Sequence, residues 1–499
     1  MDRPSTSPAA TFAHTATAVA YVVVCQLALR LVLLPFAPVA HLSRLGGLDA
    51  AARRFPATAL ALTVPPVTWV AASGWASPFG PDPSAILLGT VVWLFLLHLL
   101  GVAYTAAAQT PTDPRAYEAA VAGRWPDRWY ARHLRTPANA IYVRTLVVNT
   151  IVRIPAVAAL IWPGHVGLYA VAFFVIVDLR SGMAHEVLDH ADIHNNLFSR
   201  RHLRPGFPKL VLWLTGGYLR LVLNLAYLRV PHFYRVQHVY VHHVENNGTL
   251  DTQTTLLRDR TSFFDFCKHA LAYALSWSFA LDVYRHQKRR NNARECRLLV
   301  TGFAAWLLVL ALVATVNPGA AGFFLLYRFL GGPGSAMESY FQHGLVDAAD
   351  PDNVYTNTVN WVVHDPSTPA AGDFLHVRHH LRSGEHFSRQ LQMSQEDERA
   401  WAGRGVLALG HGIDSSLLLQ ALLSRRFDLI SRYVVPLDGA RPGEAELCDL
   451  IERRTRPVAA VPHGRFYRAA DAYAARLFLK YLLPADAPPP APAGPEAPR

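Results

Sequence analysis

Cysteine is scarce in this chain: Cys25, Cys267, Cys296 and Cys448 are scattered over 499 residues. That spacing excludes a disulfide framework and a site built from paired thiolates. Charge is scarce as well, at 17% of residues, against about 25% in a typical soluble domain. The shortfall lies in apolar runs of near membrane-spanning length between positions 16 and 330. A fibrous or disordered chain is thereby excluded, and a wholly soluble one is disfavoured. Also lacking are a glycine-rich nucleotide fingerprint, an iron–sulfur CxxC spacing, a zinc-finger spacing and a helix-turn-helix pattern. The net charge of +11, from 47 Lys and Arg against 36 Asp and Glu, is therefore read as basic loops beside membrane spans and not as nucleic-acid binding.

What is present is hydrophobic length. Spans are expected at 16–36, 57–75, 85–107, 145–162 and 164–180, disturbed by Pro65, Pro66, Pro155 and Pro163. The first is read as a retained span, because only Arg3 precedes it and no processing site follows. Residues 207–230 and 264–282 are expected along the interface, and 298–330 as a hairpin broken at Asn317-Pro318-Gly319. This arrangement leaves the basic run 285–294 on the cytoplasmic side, with the polar, arginine-rich loop from Thr112 to Arg144. The expected fold class is all-α: a multi-span transmembrane helical protein with a cytoplasmic histidine-rich domain. N-terminal helices and a basic loop would occupy 1–144, the histidine-rich domain 145–390, a soluble helical extension 391–483 and a disordered Pro/Ala tail 484–499.

Histidine is the residue in excess: 23 are present, and sixteen lie between His185 and His386. Four clusters matter. The first is His185-Glu186-Val187-Leu188-Asp189-His190 with His194 four residues on; the second is His238-Val239-Tyr240-Val241-His242-His243. The third is the isolated His343, and the fourth is His376-Val377-Arg378-His379-His380. On a helix, residues i, i+3 and i+4 share a face. His376, His379 and His380 are thus expected to converge, as are His238 and His242 with His243 beside them, and His190 with His194. His185 and His190 are one residue out of phase. The preceding stretch LYAVAFFVIVDL is almost wholly apolar, which places the first ligands just past the end of a span. So many neutral imidazoles are costly to bury unless each is hydrogen-bonded or ligated. Eight or nine of them exceed the capacity of one ion and imply two metals, and nitrogen-rich ligation with open positions suits iron and O2. By contrast His14, His41, His98, His133 and His165 read as interfacial side chains.

These boxes resemble the integral-membrane fatty acid desaturase and alkane hydroxylase superfamily, whose members hold a non-haem di-iron centre. Its pattern of HxxxH or HxxxxH, then HxxHH or HxxxHH, then HxxHH is similar to His185/His190, His238/His242/His243 and His376/His379/His380. The stretch HVYVHHVENNGTLDTQTT and the isolated histidine of ESYFQHGL look like the alkane hydroxylase branch. The first box departs from that branch, since four residues separate His185 and His190; His190/His194 restores the spacing of three. Asn360-Trp361-Val362-Val363-His364 is similar to an arrangement of some acyl-CoA desaturases, so His364 competes with His343 for the ninth position.

The resemblance, which covers roughly 145–385, implies two iron ions with O2 as co-substrate and a long-chain lipid or acyl substrate. It implies desaturation, with hydroxylation or oxidative decarboxylation as the alternatives. Electrons would come from a separate ferredoxin or rubredoxin with its reductase. The expected location is the plasma (inner) membrane, with the boxes facing the cytoplasm. Glu186, Asp189 and Glu338 are candidates to accept imidazole N–H groups, with Glu245 and Asp251 weaker ones. Arg378 is expected to meet a head group or a carboxylate, and Asp178 to have a buried role inside a span.

Overall fold

The computed structural model describes residues 36–73, 82–108, 127–361, 376–385, 403–437 and 442–459 with gaps of one or two residues, plus short pieces near residues 20, 400 and 472. The expected span at 16–36, the tail 484–499 and His364 lie largely or wholly outside these residues.

Helices α1 (Leu48–Arg54) and α2 (Pro56–Ser73) meet at Phe55 with a bend of 113°. Helix α3 (Pro83–Ala108) begins on a proline, where the missing N–H has no helical partner to lose. Helix α4 (Ala140–Ile161) carries Pro155 within it, and α5 (Leu168–Asn195) follows after a short turn. The apolar sides of α2, α3, α4 and α5 pack on one another around Val67, Leu97, Val152 and Phe173.

At a rise of 1.5 Å per residue, the 28 residues of α5 extend about 42 Å. That exceeds a hydrocarbon layer about 30 Å thick. His190 lies about 33 Å along the axis from Leu168, well beyond the apolar first half of the helix. Asn196, at φ 49°, closes the helix in the left-handed conformation that asparagine tolerates.

Next come α6 (Lys209–Gly217), α7 (Phe233–Gln237), α8 (Phe263–Phe279) and α9 (Leu281–Arg289). Helix α6 turns Leu210, Trp213 and Leu214 outward. Helix α10 (Ala293–Val316) then runs to Asn317, whose side chain accepts from the Ala320 N–H to start α11 (Pro318–Leu330). The same asparagine donates to the Trp162 carbonyl at 2.9 Å, tying this turn to the end of α4. The expected break at Asn317-Pro318-Gly319 is present.

Helix α12 (Gly332–His343) leads to strand β1 (Val359–Trp361), and α13 (His376–Leu381) carries the last box. Strand β2 (Leu407–Leu409) pairs in parallel with β1, with Asn360 opposite Ala408. The chain continues through α14 (Ser415–Leu423), α15 (Phe427–Ser431) and α16 (Glu444–Arg453). These pack around Leu418, Leu422, Ile430 and Ile451 into one core with Ala270 and Ala274 of α8 and Tyr340 of α12.

Among the described residues the regular structure is therefore helical apart from one two-stranded ladder and two isolated β-bridges. Helices α3, α4 and α10 are long and apolar enough to cross a bilayer, and the bent α1–α2 pair brings the number to four if it is one span. Helix α11, at 13 residues, is too short to cross alone. Leu87 and Leu88 on α3 and Leu307, Leu308 and Leu312 on α10 are more than half exposed. Apolar faces of that extent belong in lipid, and the protein is membrane-embedded.

Candidate metal centre

Two groups of histidines converge around the C-terminal turns of α5. His190, His194, His238, His243 and His379 form one, and His242, His343, His376 and His380 form the other. Within each group one ring nitrogen per residue lies within 4.8 Å of all the others. The rings of His243 and His380 stack at 4.6 Å, so the groups adjoin.

The distribution follows from local backbone. His190 and His194 are an i,i+4 pair on α5 and enter the first group together, as expected. After α7 the helix widens into a π-type turn over His238–His242, and such turns recur at functional sites. Widening brings i and i+5 onto one face. His238 is thus paired with His243, their Nε2 atoms 3.1 Å apart, while His242 points into the second group. The expected pairing of His238 with His242 is corrected by this turn. In α13, His376 and His380 face the second group and His379 the first. The three histidines expected to converge instead straddle two sites, because α13 lies between them.

The first group has metal-ligand geometry. His190 Nε2 lies 2.8 Å from His238 Nε2 and 3.2 Å from His379 Nε2. His243 Nε2 lies 2.9 Å from His379 Nε2, which is 3.4 Å from His238 Nε2. A neutral ring nitrogen offers one proton or one lone pair, so His238 Nε2 cannot satisfy three such neighbours. Nitrogens about 2.1 Å from a common cation lie about 3.0 Å apart at right angles and about 3.4 Å apart at tetrahedral angles. The observed separations fall in or near that range. His194 joins with its ring 4.6 Å from that of His243, and its buried Nε2 has no hydrogen-bond partner among the described residues.

In the second group His376 Nε2 lies 2.9 Å from His343 Nε2 and 3.1 Å from His380 Nε2. The rings of His242 and His343 are 5.0 Å apart. His343 Nδ1 donates to the Asn357 carbonyl at 2.6 Å, and a carbonyl can only accept. His242 Nδ1 donates to Asp251 Oδ2 at 2.7 Å. Both tautomers are thereby set with Nε2 unprotonated and facing the group. Burial would raise the Asp251 carboxyl, but His242 and the Gln253 N–H hold it below the ordinary carboxylate value.

Burial also keeps six of these imidazoles neutral. His194 is pushed down to about 2 and His343 to about 3, with neighbouring histidines adding to the effect. His238, His243, His379 and His380 lie well below the ordinary histidine value for the same reasons. The result is a buried set of nitrogen lone pairs, the chemistry of a transition-metal site.

His185 belongs to neither group. It is fully buried, bonded through Nε2 to Asn224 Oδ1 at 2.7 Å and stacked on Tyr227 with ring centroids 4.0 Å apart. The acidic residues also sort differently from expectation. Glu186 pairs with Arg229, which lies 3.8 Å from Asp189, and Asp189 also accepts from Asn224 Nδ2. Glu245 pairs with His286 and Arg290. Asp251, the weaker candidate in the Thr/Asp-rich stretch after the second box, does reach an imidazole of the groups, that of His242. Arg378 meets Glu385 and Asp397, the carboxylate contact expected of it. Asp178, expected to be buried, is only partly so; it pairs with the fully buried Arg153 at 3.0 Å and accepts from Tyr327 at 2.8 Å. The Asn357 carbonyl was not foreseen, since any residue type supplies one.

A membrane-embedded helical protein with two adjoining buried histidine groups is thus defined by fold and site. Residues 160–408, about half of the chain, match the fatty acid desaturase family, and the chain belongs to that family. It is an enzyme of the di-iron oxidoreductase type. Neither a curated protein nor a solved structure matches it.

Proposed function

We propose that this protein is an O2-dependent di-iron enzyme of the plasma (inner) membrane that desaturates an acyl chain or related lipid. The observation that carries this reading is the pair of adjoining imidazole groups, five and four residues strong, gathered around the C-terminal turns of α5. His190, His194, His238, His243 and His379 would hold one iron, and His242, His343, His376 and His380 the other. When bound, the irons supply O2 activation and hydrogen abstraction from an unactivated C–H bond. The chain's own part is to orient ligands and exclude water. Asp251 and the Asn357 carbonyl hold His242 and His343 with their Nε2 lone pairs inward, and burial keeps His194, His238, His243, His379 and His380 neutral. The exposed apolar faces of α3 and α10 suit entry of an alkyl chain from the bilayer.

Electrons would come from a separate ferredoxin or rubredoxin with its reductase. A cavity of about 350 Å3 beside the second box, where Arg285, His286, Arg289 and Arg290 outnumber the carboxylates Glu245 and Asp282, supports docking of an acidic donor. The same basic surface supports a cytoplasmic orientation. Hydroxylation is the second reading, and the placement of the isolated His343 within the second group favours it. Oxidative decarboxylation would use the same centre.

Lipid extracts of cells expressing wild type or His379→Ala test the proposal. A double bond that appears only with wild type supports desaturation, and an added oxygen supports hydroxylation. Identical extracts would overturn both.

A further inference from the structure

The C-terminal residues 403–459 reach the second histidine group through two chains of hydrogen bonds. The first runs through Arg260, which is fully buried and whose guanidinium meets four backbone carbonyls. Its Nη1 donates to the carbonyls of Thr255 at 2.8 Å and Arg258 at 3.1 Å. Its Nη2 donates to those of Arg454 at 3.0 Å and Arg456 at 2.6 Å, just past α16. Thr255 in turn donates its hydroxyl to the His343 carbonyl at 2.6 Å. The Arg454 carbonyl also accepts from the Val346 N–H at 3.0 Å, three residues past that histidine. A guanidinium is suited to this, because its planar fork offers several donors in fixed directions.

The second chain is the ladder. Strand β2 pairs with β1, which begins two residues after Asn357, the residue whose carbonyl orients His343. Asn360 of β1 accepts through its side chain from the Val377 N–H, next to His376. Both chains lead to His343 and His376, which are second-group residues. Of the first group, His190, His194, His238 and His243 stand on α5 and at or just after the π-type turn, which neither chain includes, while His379 shares α13 with His376.

We propose that Arg260 is a positioning residue through which the C-terminal segment holds His343 of the second histidine group in register for its metal, while four of the five first-group histidines stand on α5 and at the π-type turn. This rests on the two-metal reading above. Removing the guanidinium releases Thr255 from the end of α16, and Thr255 is what fixes the His343 carbonyl. Outer contacts of this kind change metal affinity by about 10- to 100-fold.

The test is metal content of the purified full chain in detergent, measured with a chelator titration on wild type, Arg260→Met and Arg260→Lys. Wild type is expected to hold two metals and Arg260→Met one, the second having weakened at least about tenfold. Arg260→Lys, which keeps a donor, is expected to lie between them. In the Arg260→Met background, adding His190→Ala should remove the remaining metal, whereas adding His343→Ala should change nothing. A merely structural loss would lower both metals together. Arg260→Met that keeps two metals at wild-type affinity, or sheds both in one step, overturns the proposal. If Arg260→Met does not accumulate as folded protein, Thr255→Val carries the same test: it cuts the link to His343 while leaving Arg260 on the α16 carbonyls. Retention of two metals at wild-type affinity there overturns the proposal as well. A wild-type chain that binds fewer than two metals overturns the two-metal reading, and this role with it. Two metals in wild type and in the variants overturn the positioning role alone.

Discussion

Replacing Asp251 by alanine isolates one physical step of the account, the fixing of a ligand tautomer by a carboxylate. Asp251 Oδ2 accepts from His242 Nδ1 at 2.7 Å and from the Asn247 N–H at 3.2 Å, while Oδ1 accepts from the Gln253 N–H at 2.9 Å. The side chain is buried, so alanine leaves three donors without their acceptor. Each buried donor left unsatisfied costs about 1–3 kcal/mol, enough to lower the unfolding midpoint measurably. The effect on metal is separate. Without the carboxylate, His242 is free to rotate or to present a protonated Nε2, and loss of such a partner weakens metal binding about 10- to 100-fold. That corresponds to about 1.4–2.7 kcal/mol. Asp251→Asn discriminates further: its one oxygen can serve His242 or Gln253, but its amide then sets donor against donor on the other side. It should fall between wild type and Asp251→Ala. The assay is chelator competition on the purified protein, followed by metal count. Glu186→Gln and Glu245→Gln serve as controls, because those carboxylates meet arginines or His286 and no member of the two groups. The tautomer argument is refuted if Asp251→Ala holds both metals with wild-type affinity, or if Glu186→Gln weakens them equally.

His185→Gln should keep both metals, since His185 stands outside the groups against Asn224 and Tyr227; metal analysis showing one ion lost would return His185 to the ligand set. Asp178→Ala strands the fully buried Arg153 without its carboxylate, at a cost of about 3–5 kcal/mol. A marked fall in the detergent unfolding midpoint is expected, with Asp178→Asn milder. Gly302→Ala would place a Cβ 1.9 Å from the Pro231 carbonyl, so α10 must shift away from the turn before α7. Overpacking of this kind costs about 1–3 kcal/mol, and an unchanged midpoint would show that the helices do not approach as closely as described.

Much of the site was legible because histidine spacing is a local property. The boxes at 185–194, 238–243 and 376–380, and the lone His343, all stood out by residue type and interval. Their division into two groups was not legible, because it depends on backbone form. Spacing of three residues between His238 and His242 suggests one face of an α-helix, but a π-type turn adds a residue per turn and sends them apart. The 376–380 box has ideal α-helical spacing, yet its helix lies between two sites and serves both. The carboxylate at His242 was only weakly legible: Asp251 stood behind Glu186 and Asp189 as a candidate, but Arg229 and Asn224 take those two up, while Asp251 is brought in by a loop. The apolar runs foretold α2, α3, α4 and the hairpin of α10 and α11, since hydrophobic length is also local. The parallel pairing of β1 with β2 across nearly fifty residues was not foretold; three-residue strands carry too short a pattern to read.

The central claim is that two metals are bound by two distinct histidine groups, and metal analysis of the purified full-length protein tests it most directly. The account predicts close to two irons per chain in wild type. His379→Ala should reduce binding at the first group only and His376→Ala at the second only, each leaving about one. Zinc at one per chain, or loss of all metal from either single substitution, would contradict it.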